Sequence, residues 1–236
     1  MSRRVLAVAA ALLVATAASV SVTAAGAASP RHVRQAEQRR LNALHCTAGA
    51  PDGRLDAQLR DAVRRFQSRI GQHQSGRLVT ATRQALRDPK APRCDRRPVP
   101  RHAGSGRRIV VSQAQNWTWL VRADGRIAAQ GPDVDNPRVL HRGSYATGSY
   151  CGRAARLRRD TDLHGRYWLD DFVRFAPCGI AFHRVPRWKT TGRQIHPDWV
   201  LGTDEATSDG CIRLSRGMAA RVWDFTAGAR TTVHVV

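Results

Sequence analysis

Residues 207–215 read TSDGCIRLS, and the cysteine at their centre is the first place to look for chemistry. A cysteine nucleophile needs a thiolate, so a base or cation nearby. It also needs N–H donors facing the oxyanion that forms on attack, and a channel that presents the carbonyl. Gly210 permits a tight turn before Cys211. The amides of Gly210 and Cys211, with that of Asp209, are then candidate oxyanion donors. His183, at the end of the apolar run CGIAFHRV, is the candidate base. His196 in QIHPDWV and His164 in DLHGRYW are alternatives on loops. The competing role for a lone histidine on an apolar strand is a satisfied core residue. A zinc site from Cys178, His183, His196 and Cys211 lacks the paired spacing of zinc ligands. No metal and no organic cofactor are expected.

The chain has five cysteines: Cys46, Cys94, Cys151, Cys178 and Cys211. An odd number leaves one over in an oxidising compartment. The simplest pairing is Cys46–Cys94 and Cys151–Cys178, with Cys211 free, although parity alone lets any of them be the odd one. Export is expected from the start of the chain. Arg3 and Arg4 precede a short Ala-rich apolar stretch, and Ala25-Gly26-Ala27 offers a cleavage site, so residues 1–28 read as a signal peptide. The stretch is a poor retained anchor, and the mature protein is expected outside the cytoplasm, without a stable membrane anchor. The formal net charge is +21, and nearly all the cations are arginines, Lys90 and Lys189 excepted. Two explanations fit: a compositional bias, or attraction to an anionic wall polymer. Nucleic acid is disfavoured by the export signal and the absence of a binding motif.

Two modules are expected to position these groups. Residues 29–88 read as a small helical unit of three helices. Leu59, Ala62, Val63, Phe66 and Ile70 share one helical face, Gly71 ends that helix, and Thr80 caps the next. The core is thin, and a Cys46–Cys94 bridge would support it. Residues 89–107, rich in Pro, Gly and Arg, read as a linker, extended at its Pro-rich part. Residues 108–236 change character. RRIVVSQAQ, NWTWLVRADGRIAAQ and RTTVHVV are β-rich, and Asp124-Gly125 marks a hairpin. SRGMAARVWDF reads as one amphipathic helix capped by Ser215. Residues 149–172 read as long loops. The fold class is α+β in two domains: a three-helix module and a mainly β domain, a sandwich or open barrel.

GIAFHRVP followed by LGTDEATSDGCIRLS resembles the L,D-transpeptidase catalytic domain, the YkuD-like fold. Ser208, Gly210, Cys211, Ile212 and Arg213 match its S-x-G-C motif with an apolar and a basic residue after the cysteine. VVSQAQNWTWLVRADGRIAAQGPDV is similar to the family's first strands, and VLHRGSYATGSY to a degraded later segment. RRLNALHC, PDGRLD, AVRRFQSRIG and SGRLVTATRQAL resemble a three-helix peptidoglycan-binding domain, and a spacer is the alternative for that unit. The resemblance implies an exported wall enzyme that joins peptidoglycan stems through a Cys211 thioester, with His183 as acid and base. Arg213 would orient the loop or pair with a stem carboxylate. Ser208, Tyr167, Phe172 and Arg174 are further substrate-side candidates. Stem peptides and glycan would be the partners. Water as acceptor would make an L,D-carboxypeptidase, and a silenced cysteine a wall-binding protein. Three departures stand out: Arg184 where the family often has Gly, a long RWKTTGRQIHPDWVL stretch before the cysteine, and Asp209. A carboxylate beside the thiol opposes the thiolate unless a cation, such as Arg213 or Arg184, pairs with it.

Overall fold

A computed structural model describes residues 29–236, the Cys178 side chain excepted. The expected signal peptide, 1–28, lies outside the described residues, as does the Cys178 half of the expected second disulfide. Three helices come first. Helix α1, Pro30–Ala43, starts at Ser29, whose hydroxyl accepts from the His32 amide. Helix α2, Ala57–Arg69, is capped by Asp56, which accepts from the Leu59 amide at 2.8 Å. It stops at Ile70, with Gly71 following in the left-handed region that relieves a helix end. Helix α3, Thr80–Arg87, corrects one expectation: Val79 is the cap residue and Thr80 already lies inside the helix. Leu41, Leu59, Val63, Phe66 and Leu86 form the helical core, with Cys46 and Cys94 packed into it and bonded to each other. Closing that loop removes freedom from the unfolded chain, worth roughly 4 kcal/mol on the chain-entropy view.

Residues 89–107, the expected linker, form no helix or strand, yet they pack against both halves. Arg97 is 2% exposed. Its guanidinium lies 4.5 Å over the Trp117 ring and donates to Ser68 Oγ and the Gln115 carbonyl. Trp119 Nε1 donates to the Arg97 carbonyl at 2.9 Å. Residues 89–107 therefore include a packed strap that ties the helices to the sheet. Composition hid this, because an arginine buried under an aromatic ring reads in sequence like any other linker arginine.

The second half is one open mixed sheet. Its strands are β1 (Arg108–Ser112), β2 (Trp117–Val121), β3 (Ile127–Val134), β4 (Gly143–Ala146) and β5 (Arg156–Thr161). They continue with β6 (Tyr167–Arg174), β7 (Ala181–Arg184), β8 (Arg187–Trp188), β9 (Ile212–Leu214) and β10 (Thr232–Val235). The order is β4-β10-β1-β2-β3-β9-β7-β6-β5, with β8 on β6. Helix α4, Arg216–Phe225, is capped by Ser215 as its sequence implies, and buries Met218, Ala219 and Val222 against Val173, Phe182, Ile212 and Leu214. The Asp124-Gly125 turn joins β2 to β3.

Residues 149–172, expected as loops, instead form most of the β5–β6 hairpin. Its strand β5, RLRRDT, is largely solvent-facing, so it shows little apolar alternation. Cross-strand pairs replace it: Arg158 donates to Asp171 at 2.8 Å and Arg159 to Asp170 at 3.2 Å. Among the described residues, no helix is long and apolar enough to cross a membrane.

Candidate active site

Strands β7 and β9 run parallel, with Phe182 opposite Ile212 and His183 opposite Arg213. Side chains alternate across a strand. Phe182 and Ile212 face the core, where both are fully buried. His183 and Arg213 therefore face the other way, into a cleft of about 580 Å³ that Cys211 also lines. Arg184 falls on the opposite face from His183. It donates to Gln194 Oε1 at 3.0 Å and sits 3.8 Å from Asp170. It is thus not the cation that pairs with Asp209, contrary to one expectation.

Cys211 is the free cysteine among the described residues, and Cys151 is disulfide-bonded. The Cys211 thiol donates to the Gly179 carbonyl at 3.5 Å. Burial pushes it up to about 11. The Ala181 amide, Arg213 and Arg174 oppose that rise, and Asp209 adds to it. His183 is 3% exposed, lies parallel to the Phe172 ring at 6.0 Å, and is pushed down to about 4 by burial. Its Nδ1 is 2.6 Å from the Arg184 carbonyl. A carbonyl only accepts, so Nδ1 carries the proton and Nε2 is left with the basic lone pair. At neutral pH the two groups therefore rest as thiol and neutral imidazole, with no standing ion pair.

The turn before Cys211 is tightly held. Gly210 has φ +116°, and a Cβ there would lie 2.7 Å from Val139 Cγ1. Its N–H donates to Ser208 Oγ at 3.0 Å. This N–H, expected to face an oxyanion, is thus committed within the turn, because the Ser208 hydroxyl, on a buried residue of the cleft lining, accepts it. Ser208 is anchored on both sides: its amide donates to the Asp135 carbonyl at 3.1 Å, and its carbonyl accepts from Asn136 Nδ2 at 2.7 Å. Asp135 and Asn136 were not singled out in the sequence, although Asn136-Pro137 is a turn signal that could have marked them.

Asp209 is exposed at the cleft mouth and forms no ion pair among the described residues. The Arg213 guanidinium lines the cleft with no hydrogen bond or close ion pair among the described residues; burial lowers its pKa, and the Asp209 charge opposes that. Arg174 is 1% exposed, with its guanidinium 4.8 Å over the Phe172 ring and 4.0 Å from Asp160. Tyr167, Phe172 and Arg174 all line the cleft, from strand β6. His164 lines it from the β5–β6 turn. His196 is not among the lining residues; its Nδ1 is 3.1 Å from the Pro197 carbonyl. The arrangement can run nucleophilic acyl chemistry: a thiol, an imidazole with one free nitrogen, and guanidinium groups around a half-enclosed cleft.

No curated protein matches this chain in sequence. Among solved structures, it is similar to an L,D-transpeptidase from Xylanimonas cellulosilytica, at 19% identity and TM-score 0.47 over 86% of this chain and 93% of that one. It is similar to an L,D-transpeptidase from Stackebrandtia nassauensis at 17% identity and TM-score 0.44, covering 86% and 90%. A fused Zn-dependent amidase/peptidase/peptidoglycan-binding protein from Clostridium acetobutylicum is similar at 15% identity and TM-score 0.41, covering 86% and 95%. Likeness this distant assigns no role to any residue. Residues 33–86, spanning the three helices, match the family described as "Putative peptidoglycan binding domain".

Proposed function

We propose that the protein is an exported peptidoglycan cross-linking enzyme, an L,D-transpeptidase that transfers an acyl group through Cys211. The observation that carries this reading is the cleft that Cys211 and His183 share, with His183 Nδ1 tied to a backbone carbonyl so that its Nε2 is free. The helical match at residues 33–86 supports peptidoglycan as the surface it works on.

In the proposed reaction His183 Nε2 takes the thiol proton as Cys211 Sγ bonds to the carbonyl carbon of the third stem residue. The carbonyl π pair moves to oxygen, where the Cys211 and Asp209 amides are the donors this reading assigns. The intermediate collapses, the C–N bond breaks, and the D-alanine amine leaves with the proton from His183. The side-chain amine of a second stem then attacks the thioester. His183 takes the amine's proton and returns it to the departing Cys211 sulfur, giving a 3→3 cross-link. Because thiol and imidazole rest neutral, proton transfer accompanies attack. The Arg213 guanidinium, in the cleft and without a hydrogen bond or close ion pair among the described residues, is the group suited to a stem carboxylate.

The test is intact-mass measurement after incubating the mature protein with a carbapenem, or with a tetrapeptide stem. A covalent adduct that is lost in Cys211→Ala is the expected result, and no adduct with either reagent would sink the reading. Product analysis then separates cross-linked dimer from free tripeptide, the product of a hydrolase.

A further inference from the structure

We infer that the helical module positions the nucleophile: Gln74 and Arg64 hold the segment that delivers Cys211 to the cleft. Residues 201–210 have no regular structure of their own, so their path is set by what they touch. The sheet holds two points. The Gly202 amide donates to the Asp133 carbonyl at 2.8 Å, and the Ser208 amide to the Asp135 carbonyl at 3.1 Å. Between these points the helical module supplies the grip. The Asp204 amide donates to Gln74 Oε1 at 3.3 Å, and Arg64 Nη2 pairs with Glu205 Oε2 at 2.7 Å.

Each holding side chain is itself anchored. Gln74 Nε2 donates to Asn116 Oδ1 at 3.2 Å, fixing it against the sheet. Arg64 Nη1 pairs at 2.6 Å with Asp61, which is 1% exposed. Helix α2 and strand β3 both crowd the segment: a Cβ at Gly202 would meet Arg65 Cδ of the helix at 3.3 Å and Pro132 Cβ of the strand at 2.8 Å. The segment closes on the turn Ser208-Asp209-Gly210, where the Ser208 hydroxyl accepts from the Gly210 amide, and Cys211 follows Gly210. Displacing residues 204–205 therefore strains the Ser208 anchor, from which the turn to Cys211 departs. Among the described residues, no hydrogen bond or ion pair joins the Gln74 or Arg64 side chain to a cleft-lining residue; they act through the loop.

The claim rests on the proposed acyl transfer only for its kinetic readout, and the structural readout stands without it. The full mature chain is compared with Glu205→Arg, which sets like charges against Arg64 at a half-exposed position, and with Gln74→Ala. Hydrogen exchange of amides 203–210 is expected to rise about tenfold in both, with little change in α1 or β1. The limiting rate of Cys211 acylation by a carbapenem should fall about tenfold, while the concentration for half-saturation stays near the wild-type value. Glu205→Asp, which keeps the charge, should stay within about twofold of wild type in both readouts. Unchanged exchange over 203–210 in Glu205→Arg and Gln74→Ala would overturn the inference. So would faster exchange with an unchanged acylation rate. If the wild type is not acylated, the functional reading fails, and the exchange data alone decide whether the module holds the loop.

Discussion

At the scale of single residues, the chemistry is set by burial working against neighbouring charge. The Cys211 thiol is raised to about 11 and the His183 imidazole lowered to about 4, both chiefly by burial. Alkylation by iodoacetamide follows the thiolate fraction, so its rate should rise about tenfold per pH unit from about pH 7 to 10, without levelling off. A plateau near neutral pH would mean a standing thiolate and overturn this account. Asp209 adds to the rise of the thiol from an exposed position. Asp209→Asn should therefore speed alkylation at pH 8, by roughly two- to threefold for one solvent-screened charge. A slower or unchanged rate would remove Asp209 from the electrostatics of the site. Cys211, His183 and Asp209 were all legible in TSDGCIRLS and CGIAFHRV. The commitment of the Gly210 amide to Ser208 was not, because a hydrogen bond within a turn depends on where the hydroxyl is buried.

At the scale of elements, two short parallel strands bring histidine and cysteine together, and one glycine sets the entry to the second. Gly210 combines a φ of +116° with a Val139 methyl where a Cβ would sit. Gly210→Ala should cost about 1–3 kcal/mol through backbone strain, plus a steric share. Thermal unfolding would register this as a drop of roughly 2–4 °C per kcal/mol. Adding Val139→Ala should recover the steric share and leave the backbone share. Full recovery would mean that backbone strain is unimportant here, and no drop in the single variant would remove the turn's demand for glycine. The β2–β3 hairpin, the Ser215 cap and helix α2 were legible from Asp124-Gly125, from Ser215 and from the spacing of apolar residues. The β5–β6 hairpin was not, since Arg–Asp pairs across it do the work that apolar alternation does elsewhere.

At the scale of the whole molecule, helices and sheet meet over buried charge. Asp133 is fully buried, and burial raises its carboxyl well above the usual range; Thr118 Oγ1 donates to it. Asp135 is raised by burial from 3.8 to about 6, with Gln113 opposing the rise and Asp204 assisting it. A carboxyl whose pKa is raised on folding binds its proton more tightly when folded. Its contribution is therefore present below pH 3.8 and lost as pH climbs through about 6. His183, lowered from 6.5 to about 4, acts in the opposite sense, adding stability as pH rises over that window. The difference between wild type and Asp135→Asn reports this carboxyl together with its effect on the neighbouring Asp133. Relative to that variant, the wild type should lose roughly 3 °C or more of melting temperature between pH 4 and 6.5. Parallel melting curves would show that Asp135 does not titrate in this window.

The residues alone marked out the helical and β-rich halves, and offered Cys211 and His183 as candidates and Cys46–Cys94 as the simplest first pairing, because each leaves a local mark: a Gly-Cys turn, a periodicity, a pair of cysteines flanking one segment. Only the tertiary structure decided which face each strand residue presents, so that His183 reaches the cleft and Arg184 does not. It alone decided that Arg97 locks the strap under Trp117, and that Arg64 and Gln74, more than a hundred residues before Cys211, touch its loop. The physical reason is one of range. Turns, caps and periodicity act over a few residues of chain, whereas pairing register and buried charge are settled only when distant segments pack together.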